Sequence, residues 1–259
     1  MLRFEGCTAI VTGGGSGIGR ALAVELVARG AADVTVLDRD AEAAEVVATE
    51  IGGHARPVDV GDAAQVREAI EETLARRGGV DLLCSNAGVL GEGGIDASDE
   101  VWHQNIQVNL MAHVYAARAV LPSMLRRGGG HLLQTVSAAG LLAAPFAIPY
   151  TVSKHAALAL AESISMHHRD QGIVVSCLCP QGVATPMLQT HASSGIRDMM
   201  ERIATPMTPE VVATFALDGV AEGRFLLLPH PEVQGYIEGR ARDRDGWLRG
   251  LARLISGAR

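Results

Sequence analysis

The sequence is poor in the features that mark secreted, membrane-spanning, metal-binding or nucleic-acid-binding proteins. It has only four cysteines and no Cys-x2-Cys spacing. Cys7, Cys84, Cys177 and Cys179 sit in apolar, strand-like runs and are expected as reduced, buried thiols of a cytoplasmic protein. No apolar run approaches the ~20 residues needed to span a bilayer. The opening Met1-Leu2-Arg3-Phe4-Glu5-Gly6 lacks the long apolar core of a signal peptide. Positive charge is scarce: the formal net charge is -7, and no basic cluster occurs before the last twenty residues, which argues against a nucleic-acid partner. The nine histidines are scattered. His167 and His168, adjacent on a helix, splay apart, so no metal site is expected. Internal repeats and low-complexity linkers are missing too, so residues 1–259 are expected to form a single domain. What remains is 48% hydrophobic and 20% charged, ordinary for a globular chain with a large core.

The first informative stretch is a strand, a glycine turn and a helix. Cys7 to Val11 is β-branched and apolar, Thr12-Gly13-Gly14-Gly15-Ser16-Gly17-Ile18-Gly19 follows, and a helical pattern runs from Ala21 to Arg29. That context suits a dinucleotide fingerprint. Glycines let the backbone approach a pyrophosphate, and the helix start offers free N–H groups and positive partial charge. A glycine-rich loop without a ligand is the plain alternative.

The second strand, Val34 to Leu37, ends at Asp38, 19 residues beyond Gly19. An acidic residue at that distance meets the adenosine ribose in such folds and repels a 2′-phosphate, which favours NAD over NADP. Arg39 is the counter-signal, because a guanidinium can hold a 2′-phosphate. Asp38 could instead cap the helix starting near Asp40. Asp59, after a short strand ending Arg56-Pro57-Val58, suits either an adenine contact or a turn aspartate. Asp81 to Ser85 reads as a fourth strand running into Asn86-Ala87-Gly88.

A long helix is expected from about Val101 to Arg127, interrupted by Pro122, with Asn109 in its middle. A mid-helix asparagine is usually a solvated or core-satisfied amide. His131 to Val136 is a fifth strand with Ser137 at its carboxyl end. Tyr150 opens a helix to about Arg169, and Ile173 to Leu178 is a sixth strand. Six strand–helix alternations indicate a doubly wound parallel sheet. Tyr150 and Lys154, four apart, share one helix face. An ammonium beside a phenol lowers the phenol's pKa and makes it a usable general acid or base.

Residues 187–207, rich in Ser, Gly and Met, lack clean periodicity and are expected as a substrate lid. Thr208-Pro209-Glu210 starts another helix, and Phe225 to Leu228 is expected as the last strand. In the tail, 231–259, Trp247, Leu248, Leu251, Leu254 and Ile255 form an apolar stripe. It suits a helix docking on its own domain or on a second subunit.

Taken together, the glycine stretch Thr12 to Gly19, Asp38, Asp59-Val60, Asn86-Ala87-Gly88, Asn109, Ser137, Tyr150-x3-Lys154 and Pro180-x-Gly-Val-x-Thr185 resemble the short-chain dehydrogenase/reductase superfamily. The resemblance covers about Leu2 to Met187. It implies a Rossmann-like sheet of about seven strands and an NAD-dependent enzyme acting on a small-molecule alcohol or ketone. It implies that Tyr150 is the general acid/base, that Lys154 lowers its pKa and holds the nicotinamide ribose, and that Ser137 polarises the substrate oxygen. Asn109 would hold a relay water. Gly13, Ser16, Gly17 and Ile18 would lie along the pyrophosphate, Asp38 with Arg39 at the adenosine ribose, Asp59 and Val60 around the adenine. Asn86, Ala87 and Gly88 would pack on the adenosine-side ribose and backbone. Pro180, Gly182, Val183 and Thr185 would line the nicotinamide. Three departures stand out. Ser85 replaces a common asparagine, Gln181 stands between Pro180 and Gly182 where Pro-Gly is usual, and the C-terminus lacks Asp-Gly-Gly. Family tetramers use that C-terminal region as an interface, so the resemblance implies a homotetramer with a homodimer as the alternative. Apolar residues in 138–146 and 187–207 (Leu141, Leu142, Phe146, Met187, Leu188, Met199, Met200) suggest a hydrophobic substrate. A non-catalytic NAD-sensing regulator is the reading from another class.

Overall fold

The computed structural model describes residues 2–192 and 205–257. Seven parallel strands form one sheet in the order β3-β2-β1-β4-β5-β6-β7. They are β1 Thr8–Thr12, β2 Asp33–Asp38, β3 His54–Pro57, β4 Leu82–Ser85, β5 Gly130–Thr135, β6 Ile173–Leu178 and β7 Leu226–Leu227. A parallel sheet needs cover on both faces, and the period-two alternation supplies it. Ala9 and Val11 pack with α1 (Gly17–Ala28), α2 (Ala41–Ile51) and α7 (Pro209–Glu222) on one face. Ile10 packs with α3 (Ala63–Arg77), α5 (Ala112–Arg126) and α6 (Ile148–His168) on the other. The sheet's direction of growth reverses between β1 and β4, so the crevice at their carboxyl ends is where a ligand is received.

The last strand is shorter than expected, and β3 stops one residue early, although Val58 N–H still bonds the Asp38 carbonyl at 2.8 Å. The larger correction concerns the long helix. It starts at Asp99 behind Ser98, and α4 (Asp99–Ile106) passes into a π-helical turn at Gln107–Met111 before α5. Pro122 lies inside α5 without interrupting it. The break falls at Asn109, where buried hydrogen bonds select the wider turn. Two helices close the chain, α8 (Glu232–Arg242) and α9 (Arg244–Gly257). The expected stripe on α9 is incomplete: Trp247 packs beside Tyr236 with ring centres 6.2 Å apart, while Leu248 is 55% exposed. No described helix is long and apolar enough to cross a membrane, and all four cysteines are free and buried.

Candidate functional site

The carboxyl ends of the strands open on a cavity of about 1720 Å³, larger than the ~300–1,000 Å³ of a single-ligand pocket. All the catalytic and cofactor-binding candidates from the sequence line it except Asn109. At one end the glycine turn makes a cradle that side chains would fill. Gly13 has φ +62, and a Cβ there would lie 2.8 Å from the Ala87 Cα; Gly17 has φ +52, and its Cβ would lie 3.0 Å from Thr185 Cγ2. Ser16 heads α1 without a side-chain capping bond, so the first N–H groups of that helix face the cavity as donors for an anion. These residues fit a pyrophosphate.

Asp38 holds its carboxylate in place through two backbone donors: Gly15 N–H to Oδ2 at 2.9 Å and Asp40 N–H to Oδ1 at 3.1 Å. It does not cap α2. Asp40 does, accepting from Ala43 N–H. Asp59 makes a turn, its Oδ1 accepting from Gly61 N–H at 2.8 Å. Arg39 reaches the same cavity.

A residue not anticipated from the sequence shapes the neighbouring turn. Thr12 Oγ1 accepts from both Asn86 N–H (2.9 Å) and Ala87 N–H (3.1 Å). Its position inside the glycine stretch was the available signal. Asn86 answers by donating Nδ2 to the Thr12 and Gly13 carbonyls.

At the other end lie Ser137, Tyr150 and Lys154. Ser137 heads a short 3-10 turn and accepts from Ala139 N–H at 3.1 Å. Its hydroxyl donates to the Pro180 carbonyl at 3.5 Å. Lys154 is buried and donates to the Thr135 carbonyl at 3.1 Å, with Nζ 5.7 Å from the centre of the Tyr150 ring. Burial pushes its ammonium down to about 8. The expected depression of the Tyr150 phenol is not found: burial raises it above its ordinary value, and the Ser137 hydroxyl lowers it. Desolvation is the larger effect.

Asn109 stands behind this wall. It is fully buried. Its Oδ1 accepts from Val89 N–H at 2.9 Å, and its Nδ2 donates to the Val89 carbonyl, Ser153 Oγ and Asn105 Oδ1. Gly88 lies against it: a Cβ there would be 3.2 Å from Asn109 Oδ1 and 3.5 Å from Lys154 Nζ.

Beyond Ser137 the wall is apolar: Leu142, Ala143, Pro145, Met187 and Leu188 line it, but Leu141 and Phe146 do not. Leu141 packs under Val233, and Phe146, with φ 64, turns toward Leu90 and Leu188. Met199 and Met200 lie outside the described residues. Trp247, Gly250 and Leu251 of α9 complete the wall.

A family model described as short chain dehydrogenase matches residues 7–194. The chain is 38% identical over 248 residues to 2-(R)-hydroxypropyl-CoM dehydrogenase of Xanthobacter autotrophicus, covering 92% of this chain and 96% of the relative. It is 31% identical over 253 residues to oxidoreductase UcpA of Salmonella typhimurium, covering 95% of both. Among solved structures, a short chain dehydrogenase/reductase from Burkholderia phymatum in complex with NAD superimposes with a TM-score of 0.86 at 28% identity, covering 95% of this chain and 96% of that one. A 7α-hydroxysteroid dehydrogenase complexed with NADH and 7-oxo glycochenodeoxycholic acid gives 0.80 at 27% identity, covering 87% and 93%.

Proposed function

The chain belongs to the short-chain dehydrogenase/reductase family and is an oxidoreductase of CH–OH groups that uses a nicotinamide dinucleotide; from that premise we propose that it is NAD-dependent and interconverts a hydrophobic secondary alcohol and its ketone. The observation that carries the cofactor choice is Asp38, whose carboxylate is fixed at the cavity rim by Gly15 and Asp40 N–H and repels a 2′-phosphate. A nicotinamide bound at Val183 and Thr185 supplies the hydride acceptor.

The chain's own residues do the rest. An alcohol releases a hydride only as its proton leaves, so a base must stand beside it. Tyr150, as the phenolate, takes that proton at its oxygen and becomes the neutral phenol. Ser137, lining the same wall as Tyr150, orients the substrate oxygen. Lys154, held by Thr135, supplies positive charge beneath both, and Asn109 keeps the 86–89 turn against α6. The apolar wall supports a hydrophobic substrate, covered by Met187, Leu188 and the tail helices α8 and α9; most of the expected lid, 193–204, lies outside the described residues. Ile148, Val152 and Met166, exposed along one stripe of α6, support association of copies as a homotetramer or homodimer.

Arg39 at the same rim favours a second reading, an NADP-dependent ketoreductase with the same catalytic residues. Initial rates with NAD and with NADP over a panel of secondary alcohols separate the two. Turnover with NAD supports the proposal, and turnover only with NADP overturns it.

A further inference from the structure

One peptide unit in the site is gripped at both ends. The Pro180 carbonyl accepts from Ala138 N–H at 2.8 Å and faces the Ser137 hydroxyl at 3.5 Å. The N–H of that unit, on Gln181, donates to His230 Nδ1 at 3.2 Å. A peptide is planar, so its carbonyl cannot turn without its N–H turning too. His230 is 2% exposed and follows β7, at the start of the tail that walls the cavity. Gln181 occupies a place where glycine is usual in sequences resembling this one, and this peptide has an imidazole of its own to bond.

We propose that His230 is a positioning residue for the site: it fixes the Pro180–Gln181 peptide plane and through it the Ser137 hydroxyl and the approach to Val183 and Thr185. The imidazole must be neutral to accept at Nδ1, and the proton then sits on Nε2. Burial keeps it neutral by holding its pKa below the ordinary value. The tautomer is assigned from that bond. No atom of His230 lines the cavity, so it acts through the peptide.

The proposal rests on the reading of the cavity as a dinucleotide site, and the test separates the two. Three variants are compared. His230→Leu removes the acceptor. His230→Asn puts an amide oxygen where Nδ1 stands. His230→Gln puts it near Nε2 and serves as a polar control of similar bulk. For each, kcat is measured, and NADH and ADP-ribose affinities are measured by calorimetry. ADP-ribose lacks the nicotinamide, so it reports every cofactor contact except those at Val183 and Thr185. Leaving a buried N–H unpaired should cost roughly tenfold in kcat and in NADH affinity for Leu and Gln. Asn should restore most of it, with ADP-ribose affinity unchanged within about twofold in all three. Should the Leu variant fail to fold, Asn against Gln decides. Equal behaviour of Asn and Gln, an unaffected Leu variant, or equal loss of NADH and ADP-ribose overturns the proposal. A wild-type protein that binds neither ligand overturns the dinucleotide reading itself, and the proposal with it.

Discussion

Asn109 Nδ2 donates to Ser153 Oγ at 3.0 Å, so the π turn between α4 and α5 is bonded to the helix that carries Tyr150 and Lys154. The same amide closes a two-bond ring with Val89 through its N–H and its carbonyl. Asn109→Leu would leave both part-buried Val89 groups unpaired, at about 1–2 kcal/mol each. Urea denaturation is expected to show a loss of roughly 2–4 kcal/mol. An unchanged midpoint would mean that the turn is held by packing alone.

Asp38→Ala removes the acceptor of Gly15 N–H and the charge that opposes a 2′-phosphate. The NAD KM is expected to rise about tenfold and the NADP KM to fall by a similar factor. Steady-state kinetics with each cofactor check this. A variant that keeps its preference would move the discrimination to Arg39.

Buried histidines make the fold sensitive to acid. Burial pushes His113 down to about 3 and His131 down to about 4, against ~6.5 in an unfolded chain. The folded protein therefore binds fewer protons than the unfolded one in that window. Stability is fully present above ~6.5 and is lost as pH falls toward the folded values. Each histidine contributes up to roughly 2 kcal/mol of loss between pH 6.5 and pH 5. Denaturation at pH 7 and pH 5 tests it, and His113→Leu should flatten the slope.

Much of this molecule was legible in the sequence because its signals are local. β6 is Ile173–Leu178, as the apolar run indicated, and Thr208 caps α7 at Val211 N–H. What the sequence hid is tertiary. Nothing near Asn109 announces a π turn, because the bonds that select it come from Val89 and Ser153, 20 and 44 residues away. Asp38 looked able to cap α2, and only the fold shows that Gly15 claims it while Asp40 makes the cap. Nothing in the sequence marks His230, because its partner is 49 residues back. Leu248 matched the stripe by spacing, yet α9 presents Trp247 and Leu251 instead. The Tyr150 phenol misled for another reason: spacing reports a neighbouring charge but not the desolvation that opposes it.

Gly250 lies in the interior of α9, where glycine costs about 1 kcal/mol relative to alanine. It lines the cavity, and a Cβ there would meet nothing within 4 Å. Gly250→Phe should keep or raise the melting temperature while shrinking the apolar end of the site. The KM for bulky alicyclic alcohols is expected to rise at least fivefold, by loss of a few buried CH2 contacts, and that of propan-2-ol to stay constant. Equal effects on both would show that α9 does not bound the substrate.

The central claim is that Tyr150 exchanges the proton with the substrate oxygen. The most direct measurement is NADH formation at alkaline pH over a panel of secondary alcohols, wild type against Tyr150→Phe, with NADH binding followed in both. The account predicts a loss of at least about 100-fold in kcat with NADH affinity retained, because the substitution removes one hydroxyl from a ring whose packing persists. A Tyr150→Phe enzyme that turns over like the wild type would contradict it.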